Sequence, residues 1–298
     1  MTGQTLLYCV GATKAGTSWL YRMLHDHDDC HVRAVKEAHY WDTFGPKRRD
    51  RQVAAFENRL NALVRQRGQA LQNGNQRRVG NLTRQIDDMV GLIDVLKSDR
   101  TGDVAYWNWL SQGSKDANVV AEMTPAYSLL DVDLLKRMAA LHPMTKMVYL
   151  MRDPLDRLWS HIRMDVARES GEADLEANAN ARLDQIVSGQ GDSNILPRGD
   201  YRAAVQKLQQ VIAPANLLIE FTERMMTSAG WKGICAFLGI QHKDANDERK
   251  VHEGAKAKMD EDLAAKAVRF LKDQYDWVAG NVGPLPDRWQ ANLLRAHA

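Results

Sequence analysis

The sequence predicts an α/β protein with a central parallel sheet flanked by helices. Three observations carry that expectation. Strand-like runs at Leu6–Val10 and Lys146–Met151 are each followed at once by a helical pattern. A glycine-bearing turn, Gly11 to Gly16, joins the first run to its helix. The length of 298 residues with 44% hydrophobic content suits one large buried core, so 1–298 is taken as a single domain.

In the first element, Leu6-Leu-Tyr-Cys-Val10 is an apolar strand, and beyond the turn Trp19, Leu20, Met23 and Leu24 fall on one helical face. Between them, the helix-start amides and the hydroxyls of Thr17 and Ser18 form a nest for an anion. A nucleoside-triphosphatase loop, G-x-x-x-x-G-K-[ST], places lysine directly after its second glycine. Here that position is Thr17, and the lysine is Lys14, inside the loop. The segment is therefore a phosphate cradle of a different kind, or else a turn that only starts a helix.

The second strand–helix unit begins with Lys146-Met-Val-Tyr-Leu-Met151 and continues through Arg152-Asp-Pro154 into a helical stretch containing Ser160. Pro154 suits a first helical turn, where its missing N–H costs nothing. Arg152 at the strand end and Ser160 two turns into the helix can converge on one phosphate, the guanidinium supplying charge and paired donors and the serine a hydroxyl. Taken alone, Arg-Asp-Pro is also an ordinary turn and helix opening. A Walker B strand would end in an acidic metal ligand, whereas this one ends in Arg152.

Thr13-Lys-Ala-Gly-Thr-Ser-Trp-Leu20 resembles the 5′-phosphosulfate loop of the sulfotransferases that use 3′-phosphoadenosine 5′-phosphosulfate (PAPS), P-K-[SA]-G-T-[TS]-W-L, with Thr13 replacing the proline. The resemblance implies a P-loop-like three-layer sandwich. It places Lys14, Ala15, Gly16, Thr17, Ser18 and Trp19 around the donor, with Lys14 on the oxygen bridging phosphorus and sulfur and Trp19 near the adenine. Arg152 and Ser160 match the family's 3′-phosphate site. PAP is then the product, and the family needs no metal.

Val35-Lys-Glu-Ala-His-Tyr-Trp-Asp42 resembles the K-E-P-H-F-F-D segment of the heparan sulfate and related carbohydrate sulfotransferases, whose glutamate is the general base. The resemblance makes Glu37 the candidate base, Lys14 the stabiliser of leaving-group charge and His39 the runner-up base. The plainer readings are an ion pair for Glu37 and a supporting histidine for His39. Ala38 stands where the family has proline.

Val119-Val-Ala-Glu-Met-Thr-Pro-Ala-Tyr127 resembles the family's E-K-[TS]-P-[SA]-Y strand, with Met123 in place of its lysine. Arg198-Gly-Asp-Tyr201, Leu217–Glu223 and Phe237-Leu-Gly-Ile240 keep the family order. Tyr201 is expected either to line the nucleotide or to anchor a helix. Lys256 and Lys258, in the basic stretch Lys250–Lys258, are candidates for closing over the 3′-phosphate, or belong to a solvated charge run before a helix from Asp260 to Tyr275.

The segment 47–100 holds 12 Lys plus Arg and 6 Asp plus Glu, with a helical apolar face on each side of Asn73-Gly-Asn75. It is expected to be an inserted helical hairpin, serving as a solvated flank or lid, or as a contact for the acceptor or a second subunit. The net charge of +2 gives no reason to expect nucleic acid. No run reaches transmembrane length and no signal peptide precedes the first strand, so a cytoplasmic location is expected. Cys9, Cys30 and Cys235 are scattered and read as free buried thiols.

The expected activity is transfer of a sulfonate from PAPS to a hydroxyl or amine acceptor by in-line displacement, the acceptor being a carbohydrate, a lipid headgroup or a small molecule. The rivals are a non-catalytic PAPS- or PAP-binding scaffold and a P-loop kinase.

Overall fold

A computed structural model describes residues 3–243 and 256–297. In chain order the elements are β1 (Thr5–Gly11), α1 (Thr17–His25), β2 (Cys30–Val32), α2 (Pro46–Gln72), α3 (Gln76–Lys97), α4 (Val104–Ser111), β3 (Val119–Met123), α5 (Val132–Ala139), β4 (Thr145–Met151) and α6 (Pro154–Ser170). There follow α7 (Leu175–Gln185), α8 (Tyr201–Val211), β5 (Leu217–Phe221), α9 (Thr222–Met225), α10 (Ser228–Leu238), α11 (Glu261–Phe270), α12 (Lys272–Asn281) and α13 (Asp287–Leu294). The helix anticipated from Asp260 to Tyr275 is divided, because the chain leaves helical geometry at Leu271 between α11 and α12.

The five strands form one sheet in the order β2-β3-β1-β4-β5, and every neighbouring pair is parallel. This is the predicted α/β architecture. Strands covered on both faces read as continuous apolar runs, and β1 is buried at every position.

The order places the active end of the molecule. From β1 the chain leaves towards the β3–β2 side, and from β4 it leaves towards β5, so the order reverses between β1 and β4. In open α/β sheets the crevice beyond the C-terminal strand ends at such a reversal is where ligands bind. The loops containing Lys14 and Arg152 leave those two strand ends.

In α2 and α3 the inner faces divide. Val53, Phe56, Met89, Leu92 and Ile93 join the main core, whereas Leu63, Ala70, Leu82 and Ile86 form a separate cluster. Val64 and Val90 are each 42% exposed. The C-terminal helices are tied back by Asp153, which is fully buried. It caps α6 through Asp156 N at 2.9 Å and accepts from Tyr275 of α12 and Asn292 of α13, each at 2.8 Å.

Candidate active site

Gly16 is the residue on which the first loop turns. Its φ of 82° is left-handed, and a Cβ there would lie 3.0 Å from Met225 Cε and from Thr222 Cγ2. Only glycine suits such a backbone at such an approach. The turn starts α1 with its free amides facing a cavity of about 1010 Å³, lined by Lys14, Gly16, Thr17, Ser18 and Trp19. Ala15 is buried behind the loop, where its carbonyl accepts from Thr222 Oγ1 at 2.8 Å.

Arg152 and Ser160 line the same cavity from the β4–α6 side. The Arg152 guanidinium reaches the Lys14 carbonyl at 3.5 Å and, among the described residues, pairs with no carboxylate. The ammonium of Lys14 likewise meets only Met164 Sδ, at 3.8 Å. Burial first, then the charges of Arg152, Arg168, Arg163 and Lys36, lower the Lys14 pKa from its ordinary value. Lys14 and Arg152, two like charges with no carboxylate partner among the described residues, make an unsatisfied anion site.

Tyr201 is fully buried and lies outside the cavity lining. It donates to the Arg152 carbonyl at 2.5 Å, while the Arg152 N–H points back to its hydroxyl at 3.3 Å. It therefore holds the strand end that presents the arginine. Lys256 is exposed and reaches the cavity edge. Lys258 does not line it; its N–H donates to Glu176 Oε2 at 2.8 Å. Positions 250–255 of the expected basic stretch lie outside the described residues.

Lys36, Glu37 and His39 also line the cavity. Lys36 Nζ donates to Glu37 Oε1 at 2.7 Å, His39 Nε2 lies 3.8 Å from Glu37 Oε2, and His39 Nδ1 is 2.9 Å from Asp42 Oδ2. Burial alone would raise the Glu37 pKa, but hydrogen bonding and charge from His39 and Lys36 outweigh it and hold it down to about 2. Burial would lower His39, yet Asp42 and Glu37 raise it to about 9. At neutral pH the carboxylate is ionised and the imidazole is charged, so Glu37 is the group with a lone pair to offer.

Both residues are left-handed at non-glycine positions, with φ of 67° and 52°. Such a backbone persists only where its surroundings fix it. Here the fixing groups come from 122–127: Glu122 Oε1 accepts from Ala38 N at 3.2 Å, Thr124 Oγ1 from His39 N at 3.4 Å, and the Tyr127 hydroxyl from Tyr40 N at 2.9 Å. The two segments singled out in the sequence are two halves of one hydrogen-bonded unit. Spacing alone did not reveal that role of Glu122. Its one sequence signal was a carboxylate inside an otherwise apolar strand, Val119-Val-Ala-Glu-Met123.

Arg157 was also missed. It is a buried residue of α6, donates to His161 Nδ1 at 3.3 Å and to the Ile195 carbonyl at 3.4 Å, and its Nε has no acceptor among the described residues. Burial, then Arg157 and Arg198, pull His161 down to about 3, which keeps that ring neutral. Among the described residues no cluster of histidine, cysteine or acidic side chains could hold a metal ion, and no helix is long and apolar enough to cross a membrane.

A model of the sulfotransferase family matches residues 7–244. A search of the curated proteins finds no match. Among solved structures, the sulfotransferase from Alicyclobacillus acidocaldarius aligns at 19% identity with a TM-score of 0.57, covering 97% of this chain and 100% of its own. The sulfotransferase domain from the curacin biosynthetic pathway aligns at 16% identity with a TM-score of 0.50, covering 82% of this chain and 76% of its own. At those identities the structural likeness is one of fold, and it agrees with the family match: this chain belongs to the sulfotransferase family.

Proposed function

We propose that the protein moves a sulfonate group from PAPS to a hydroxyl or amine acceptor. The observation that carries this is the pairing, across the β1/β4 reversal, of two cation sites without carboxylate partners among the described residues, one at Lys14 and one at Arg152. A donor with a phosphosulfate at one end and a 3′-phosphate at the other suits two such sites, and the α1 amides add fixed dipoles to the first.

In this reading Gly16, Thr17 and Ser18 cradle the 5′-phosphosulfate, Trp19 borders the base, and Arg152, Ser160 and Lys256 hold the 3′-phosphate. The bound donor supplies an S–O bond for in-line displacement. Lys14 is aimed at the charge that develops on the leaving phosphate. Glu37 accepts the acceptor's proton, and the charged His39 orients it and returns positive charge to the cavity. Tyr201 acts through Arg152 rather than on the nucleotide. The chain is taken as one domain over 1–298, with 47–100 inserted in it and no metal required.

The test pairs binding with turnover. PAP should bind the wild-type protein, and Arg152→Ala should weaken it by roughly 10- to 100-fold, the loss of a charged hydrogen-bonding partner worth about 1.5–3 kcal/mol. Labelled sulfonate should pass from PAPS to an acceptor in extract of the native cells. PAP binding without transfer or slow PAPS hydrolysis would make the protein a nucleotide-binding scaffold. ATP–magnesium binding that is indifferent to Arg152 would make it a P-loop kinase.

A further inference from the structure

Between Glu57 and Asp87 the chain carries six arginines, Arg59, Arg65, Arg67, Arg77, Arg78 and Arg84, and no acidic residue. This span is the distal half of the α2–α3 pair. The proximal half is anchored by Val53, Phe56, Met89 and Leu92 in the main core. The distal half is not: Leu63, Ala70, Leu82 and Ile86 pack with one another in a cluster of their own. At 1.5 Å per helical residue, the stretch from Leu60 to the turn extends roughly 20 Å from that anchorage.

In the proximal half Lys97 pairs with Glu57 at 2.6 Å and Arg49 with Asp50 at 3.4 Å. Among the described residues none of the six distal arginines pairs with a carboxylate, and Arg84 meets only Asn81 Oδ1, at 2.6 Å. Five of the six are exposed; Arg67 is half-buried. Like charges gathered on an arm that covers no core repel one another and gain nothing from packing. On the same arm, Val64 is 42% and Leu71 52% exposed. Seven residues apart, these two share one stripe of α2, with Arg67 between them.

Guanidinium groups pair with oxyanions such as phosphate in a fixed fork geometry, and exposed aliphatic side chains on the same arm fit an apolar layer. Nucleic acids and acidic polysaccharides offer the first without the second. An anionic bilayer surface offers both. We infer that the distal half of the α2–α3 arm docks the protein on anionic lipid surfaces, with its arginines on headgroup phosphates and Val64 and Leu71 at the acyl boundary. The inference rests on the arm alone and is independent of the chemistry at the cavity.

Co-sedimentation of the full chain with phosphatidylglycerol–phosphatidylcholine vesicles, against pure phosphatidylcholine vesicles, tests it. Binding to the anionic vesicles should be stronger by about tenfold or more and should weaken with added salt. Changing Arg59, Arg65, Arg77, Arg78 and Arg84 together to Gln should abolish the preference while leaving Tm unchanged, since all five are exposed. Leu71→Ser should weaken vesicle binding several-fold yet leave retention on heparin unaltered, a split that a purely electrostatic site would not show. Equal pelleting with both vesicle types, or undiminished binding by the five-fold variant, overturns the inference. Tight retention on heparin or duplex DNA without vesicle binding also overturns it, and assigns the arm to a polyanion.

Discussion

Glu122 accepts the backbone N–H of Ala38 at 3.2 Å, and through that bond a fully buried strand residue fixes the turn that presents Glu37 and His39. The same oxygen accepts from Thr124 Oγ1 at 2.5 Å, and Thr124 in turn accepts from His39 N. Removing the carboxyl in Glu122→Ala leaves a buried amide and a buried hydroxyl without an acceptor, at a cost of about 1–3 kcal/mol each. Tm should fall and kcat should drop by roughly tenfold or more, because the two left-handed residues lose their support. PAP affinity should not change, since the proposed donor site is built on β1 and β4. Glu122→Gln, which keeps a carbonyl oxygen at the same place, should restore most of the activity. A variant that loses PAP binding in step with kcat would place Glu122 in a general structural role instead.

Lys14 is held among four cations and touches only a thioether. A donor aimed at developing charge is worth about 10²–10³ in kcat when removed. Lys14→Met should therefore lower kcat by that order while weakening PAP binding only several-fold, read from saturation kinetics and calorimetric titration of the same preparation. Full kcat at saturation in the variant would remove Lys14 from the transition state.

His39 carries its charge up to a pKa of about 9, and Glu37 is ionised down to about 2. If the ionised carboxylate takes the proton and the charged imidazole orients it, kcat/KM should stay level through neutral pH and decline as His39 loses its proton near 9. His39→Gln should abolish that decline and lower the plateau. The same pair bears on folding. His39, whose pKa is raised from 6.5, adds stability that is full below that value and is lost as pH rises through about 9; Glu37, lowered from 4.5, adds stability that is lost as pH falls towards 2.

The cavity-lining residues beyond β1 and β4 were legible because their signals are local. Gly16 and Lys14 sit in one turn, Arg152 follows one strand, and Ser160 lies two turns into one helix, so short spacings reveal them. The parallel sheet was legible for the same reason, through buried runs such as Thr5–Gly11. What could not be read was whatever depends on non-local pairing. Glu122 meets Ala38 across 84 positions of sequence, and Tyr275 meets Asp153 across 122. Tyr201 was left between two roles because a tyrosine in a G-x-Y segment looks the same facing a ligand or facing a strand end. In the fold Tyr201 is buried and bonded to the Arg152 carbonyl at the strand end.

Asp153 carries the last prediction, a pH dependence of stability opposite in sign to that of a salt-bridged carboxylate. Burial, reinforced by Asp156, raises its pKa from 3.8 to about 7, even though Asp156 N, Tyr275 and Asn292 all donate to it. The folded protein then holds a proton that the unfolded chain has released, so the contribution is full below about 3.8 and is lost as pH rises through about 7. One such group changes stability by at most about 1.4 kcal/mol per pH unit across that window. Asp153→Asn fixes the neutral form and keeps an acceptor for the α6 cap. In urea unfolding, the difference between wild type and variant should grow in the variant's favour from pH 5 to pH 8, as the wild type alone pays for a buried charge joining α6 to α12 and α13. A wild-type protein that instead gains on the variant as pH rises would show that the three donors outweigh burial and that Asp153 is ionised in the fold.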